Sequence, residues 1–161
     1  MAEKKVLTME DLVRLLHTII LAYQQAIRGI LGPSAAVFIH PVNSIVNQIQ
    51  EKLDEQIIKG RNIDEVMKNY ANLLMSSGYI KKATAEKLSP DGYLFKLEGC
   101  TCNKNGKTHM ALGLTNAICP WAMIAQAIYS KFTGKKIKPA YTSYEKNLSV
   151  TEVTHQATAS S

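Results

Sequence analysis

All three cysteines and one of the four histidines of this 161-residue chain fall in one stretch, Glu98 to Trp121. Thiolates are soft ligands and imidazole a borderline one, so Cys100, Cys102, His109 and Cys119 make a donor set of the kind that holds zinc. The turn chemistry between them supports the same idea. Asn105-Gly106 is the strongest short signal for a two-residue type I′ hairpin, because both central residues need positive φ. With that pair at the turn, Cys102 faces His109, and Cys100 lies two residues along on the same face. The other face of such a hairpin carries Tyr93, Phe95 and Leu97 against Met110, Leu112 and Leu114. The expectation is one Zn²⁺ held by the four side chains, which closes the site and makes it structural; loss of one ligand to solvent leaves room for chemistry. Against it stands a plainer reading. Free cysteine is often a small buried hydrophobe, and Cys-x-Cys is a weaker metal signature than paired Cys-x-x-Cys knuckles.

Cys119 precedes Pro120, and proline suits the first helical position, so Cys119 becomes an N-cap. A thiol there meets the positive end of the helix dipole and unpaired N–H groups, which favour thiolate. That state serves a zinc ligand, a nucleophile or a redox thiol. A nucleophile also needs a histidine oriented by a third group. His109 and His155 are available, but no recognisable catalytic signature surrounds them. His17 reads as a satisfied core or interface histidine, because no second ligand follows one turn later. Glu98 shares the thiol face and could steady a ligand.

The elements that must position these groups follow from capping and periodicity. Thr8 opens a capping box with Asp11. From Leu12 to Leu31 a broad apolar arc then implies burial on several sides, in a domain centre or a dimer interface, and Gly32-Pro33 ends the helix. Residues 34–59 read as a second helix disturbed at Pro41. An Asn62 cap starts a third helix that buries Val66, Met67, Tyr70, Ala71 and Leu74, and Gly78 closes it. A short helical turn is expected near 84–88, then the turn Ser-Pro-Asp-Gly at 89–92, the hairpin, and the helix from Pro120 to a Gly134 cap. Two strands with a turn near Asn147 complete the order. The chain is therefore predicted to be α+β: N-terminal helices packed on a small antiparallel sheet, in the order helices–hairpin–helix–hairpin, as one domain over 8–155 with frayed termini at 1–7 and 156–161.

Composition narrows the class. Hydrophobic residues make up 46% and charged residues 20%, which describes a globular chain rather than a disordered one. The net charge of +6 is spread over small lysine groups, without an arginine-rich helix or an aromatic–basic strand, so no nucleic-acid partner is expected. No apolar run reaches the length of a membrane span. An unpaired cysteine count and a polar N-terminus fit a reducing cytoplasm.

The buried N-terminal helices, the Leu97-Glu98-Gly99-Cys100 segment, the Ile118-Cys119-Pro120-Trp121-Ala122 helix start and the closing strand around Glu145 together resemble the 4-vinyl reductase domain. Members of that family occur in bacteriochlorophyll biosynthesis, in regulators that sense aromatic hydrocarbons and as stand-alone archaeal proteins, and the fold is shared with transport-particle subunits that hold a fatty-acyl chain. The resemblance implies a dimeric small-molecule-binding domain for hydrophobic ligands, with metal-binding cysteines at Cys100 and Cys119. This chain departs where family members often carry further cysteines, because Glu145 to Glu152 contains none.

The functional expectation is a non-catalytic binding or regulatory module, homodimeric, for a small hydrophobic molecule. The alternatives are an enzyme using Cys119 or a metal-bound water, and a structural assembly subunit. An apolar ligand would lie between Leu16, Ile20 and Tyr23 of the first helix, Ile45 and Ile49 of the second, and Phe95, Leu97 and Leu112 of the hairpin. Tyr23 or His17 would orient it.

Overall fold

The computed structural model describes residues 8–31, 59–101, 116–117, 119–137, 140 and 142–155. In chain order these form α1 (Met9–Leu31), α2 (Ile63–Ser76), β1 (Lys82–Ser89), β2 (Gly92–Glu98), β3 (Asn116–Ala117), α3 (Pro120–Thr133), β4 (Thr142–Glu145) and β5 (Leu148–Thr154). The fold class is α+β, as the alternation of periods indicates. The second predicted helix, the Asn105-Gly106 turn and both termini lie outside the described residues.

Local chemistry accounts for most boundaries. Asn62 caps α2 by accepting from the N–H of Glu65 at 2.9 Å, and Glu65 reaches back to the N–H of Arg61 at 2.8 Å, so two otherwise unpaired N–H groups are satisfied together. Pro120 stands in the first turn of α3, and Gly134 closes that helix at φ 68°, a left-handed conformation that favours glycine. Ser89 to Gly92 turns β1 into β2, and Lys146-Asn147 turns β4 into β5.

The five strands form one sheet in the order β1-β2-β5-β4-β3, every pair antiparallel. Its inner face is set by register. Ala85 pairs with Phe95, Phe95 with Thr151, and Thr151 with Thr142. Tyr93, Phe95, Leu97 and Val153 are buried there under α2 and α3. Tyr70 stacks on Phe95 with ring centroids 5.7 Å apart and donates its hydroxyl to the Trp121 carbonyl at 2.9 Å. Tyr129 of α3 meets Tyr93 edge to face and donates to the Asp91 carbonyl at 3.0 Å. Each tyrosine thus buries its ring and keeps its polar end paired.

Two expectations change here. Residues 84–88 are part of β1, not a helical turn. Their alanine, glutamate and lysine favour helix locally, but pairing along the whole of β2 overrides that preference. The expected neighbour of β2 also changes. Both edges of β2 are occupied, by β1 and β5, and residues 110–114 lie outside the described residues. The strand ends at Glu98, because Gly99 turns the backbone at φ 66°. A Cβ at Gly99 would meet the Lys81 side chain at 2.7 Å.

Candidate functional site

An open groove of about 590 Å³ lies between α2 and strand β1. Helical spacing places Asp64, Lys68, Ala71, Asn72 and Met75 along one stripe of α2. Strand alternation places Ala83, Ala85 and Lys87 on the inner face of β1. Alanine on the strand and at position 71 on the helix leaves unfilled the space that larger side chains occupy over β2. The groove is therefore apolar along its floor and charged at its rim.

One end is tied shut electrostatically. Lys87 Nζ lies 3.1 Å from both oxygens of the Asp64 carboxylate, and the Tyr93 hydroxyl donates to the same group. The Tyr93 hydrogen bond first, and that from Lys87 second, hold the Asp64 carboxyl below its ordinary range. Burial, reinforced by Asp64, raises the Tyr93 phenol well above its usual value. Tyr93 is thus a neutral donor. Asp64 also sits in the first turn of α2, where the helix dipole favours a negative charge.

The thiol region has a different character. Cys119 is buried in the core, and Cys100 is half-buried. The Cys119 backbone N–H donates to the Thr142 hydroxyl at 3.1 Å, which is bonded in turn to the Thr151 hydroxyl at 2.7 Å. Burial pushes the Cys119 thiol up to about 12; the Ala122 N–H pulls the other way, and Cys100 adds to the rise. The expected thiolate is absent at neutral pH, because loss of solvation outweighs the helix terminus.

The zinc expectation is corrected. Among the described residues, no group of three or more histidine, cysteine, aspartate or glutamate side chains could hold a metal ion. Cys100 follows the Gly99 turn, Cys119 caps α3, and Cys102 and His109 lie outside the described residues.

The residues expected to line an apolar cavity are divided. Phe95 and Leu97 belong to the packed core under α2. Leu16, Ile20 and Tyr23 are exposed on α1, Tyr23 at 66%. Ile45, Ile49 and Leu112 lie outside the described residues. His17 and Gln24 are buried instead, and burial lowers the His17 pKa to about 4. Sequence reasoning missed the groove because it took 84–88 for a helical turn. The signal was the alternation of Ala83, Ala85 and Lys87 with Thr84 and Glu86, directly before a turn motif.

No family model matches the chain, and no curated protein matches it. A solved structure described as "Probing the function of heme distortion in the H-NOX family" is similar at a TM-score of 0.47 and 10% sequence identity, over 100% of this chain and 79% of that chain. Similarity this distant assigns neither a family nor a ligand. Among the described residues no helix is long and apolar enough to cross a membrane.

Proposed function

We propose that this chain is a small-molecule-binding or regulatory module whose ligand occupies the groove between α2 and β1. The observation that carries the reading is the groove itself. At about 590 Å³ it falls within the ordinary size range of ligand sites, and it combines an apolar floor with a few convergent polar groups. The protonated, buried Cys119 lends nothing to a nucleophilic alternative. The resemblance to hydrocarbon-binding domains is consistent with an apolar ligand. The test is thermal unfolding with a panel of apolar acids, alcohols and hydrocarbons, on wild type and Asn72→Trp. Asn72 is exposed at the groove rim, so tryptophan there fills the space without entering the core. Ligand at a hundred times its Kd stabilises the native state by about 2.7 kcal/mol. The reading requires that gain in wild type and its loss in the variant; a panel that stabilises neither protein removes it.

The same module is proposed to be a homodimer through α1. Leu12, Leu16, Ile19, Tyr23, Ala26 and Ile30 recur at alternating spacings of four and three, the period of a coiled-coil seam. They point away from buried His17 and Gln24, with Leu16 at 51% and Ile30 at 81% exposure. In this proposal Leu16, Ile20 and Tyr23 serve the seam or its immediate flank.

A further inference from the structure

Three charged side chains line the groove, Asp64, Lys68 and Lys87. Asp64 and Lys87 are paired with one another across its polar end. Lys68 has no ion pair among the described residues, and the Asn72 amide has no side-chain hydrogen bond there. These two stand one turn apart on the same face of α2, so their donors converge on one point of the rim. The groove accordingly carries one uncompensated positive charge beside an amide donor. From Lys68 toward Met75 the lining becomes Ala71, Met75 and Ala83, an apolar run of about 10 Å along the helix axis. The opposite edge of β1 is the edge of the sheet among the described residues, which leaves the groove open along its length to an elongated molecule.

We infer that the groove takes a carboxylate-bearing apolar molecule, its carboxylate on Lys68 Nζ and the Asn72 amide and its ring or chain over Ala71, Met75, Ala83 and Ala85. The inference rests on the binding-module reading and names its ligand class. Charge selects the class. A cationic analogue meets the unpaired Lys68 ammonium, and Asp64 offers it little, being already bonded to Tyr93 and Lys87. A neutral analogue keeps the apolar contacts and loses the ion pair, retaining at most a hydrogen bond from the ammonium to its oxygen. A dicarboxylate adds a second charge with no cation left to receive it. A two-ring acid spans the available length.

The experiment is calorimetric titration of the full chain with 2-naphthoate, 2-naphthalenemethanol and 2-naphthylmethylammonium, in low and moderate salt, for wild type, Lys68→Gln and Asn72→Trp. Wild type should bind the acid about fivefold or more tighter than the alcohol, a preference that shrinks as salt rises. Lys68→Gln should erase that preference, weakening the acid by more than the alcohol. Asn72→Trp should abolish both. Equal affinity for acid and alcohol, tighter binding of the ammonium, or an unaltered preference in Lys68→Gln overturns the ligand class while leaving a binding groove in place. Failure of all three probes to bind wild type overturns the class and the binding-module reading together. Circular dichroism of Lys68→Gln, an exposed helix position, establishes that any loss is not unfolding.

Discussion

Tyr70 of α2 lies nearly parallel to Phe95 of β2, with an interplanar angle of 20°, and this pair locks the helix onto the sheet beside the groove. Offset stacking of this kind adds about 0.5–1.5 kcal/mol beyond the buried area. Phe95→Ala should cost about 3–5 kcal/mol, the usual range for a core aromatic. Tyr70→Phe keeps the ring and removes the bond to the Trp121 carbonyl, and should cost about 1–2 kcal/mol by leaving that acceptor unpaired. Urea unfolding of both variants checks the order; equal losses would mean that stacking is not what the pair contributes.

Acid sensitivity should have a histidine component. The His17 pKa is about 4 in the folded protein against an ordinary 6.5. The unfolded chain therefore takes up the proton first as pH falls. Stability from this residue is fully present above about pH 6.5 and drains away toward pH 4, by on the order of 3 kcal/mol. His17→Gln should flatten the stability profile across that window. An unchanged slope between pH 6.5 and 4 would place the proton uptake elsewhere. Below that window Asp64, whose carboxyl is held low by Tyr93 and Lys87, loses its contribution as pH falls through its own depressed value.

Much of the fold was legible because capping and turn chemistry are local. Thr8, Asn62, Cys119-Pro120, Gly134 and the Ser89–Gly92 turn each mark an element end that the structure reproduces. The alternation of Tyr93, Phe95 and Leu97 identified the inner face of β2 for the same reason. Which strand lies beside β2 is a tertiary matter. Asn105-Gly106 speaks only for its own turn, and β5 arrives from the far end of the chain. β1 was hidden by helix-favouring residues whose strand conformation is imposed by β2. The groove was hidden with it. Cys119 shows the same division: its cap position was readable, whereas its burial, which decides its protonation, was not.

Gly99 should not tolerate a side chain. Its φ is 66°, and an added methyl would stand 2.7 Å from the Lys81 side chain. Gly99→Ala is therefore strained in two ways, at about 1–2 kcal/mol for the backbone alone. A denaturation midpoint equal to wild type would show that the turn after β2 relaxes freely.

Cys119 should resist modification. A thiol raised to about 12 and buried has little thiolate at pH 8 and little access, so maleimide labelling should spare it in the native protein and reach it in denaturant. Peptide mass spectrometry reads the difference. Prompt native labelling of Cys119 would restore the reactive-thiol alternative.

The α1 seam should govern association. Leu16→Glu with Tyr23→Glu alters two exposed positions and should convert a dimer to a monomer by light scattering without unfolding the sheet. A wild type that is already monomeric at micromolar concentration rules out this seam.

Amide NMR of the wild-type chain titrated with 2-naphthoate tests the central claim most directly, because it reports position as well as affinity. The account predicts saturable shifts at Lys68, Asn72, Ala83 and Ala85, with β4 and β5 unchanged, and their disappearance in Asn72→Trp. Saturable shifts confined to α1, or none at all, would contradict it.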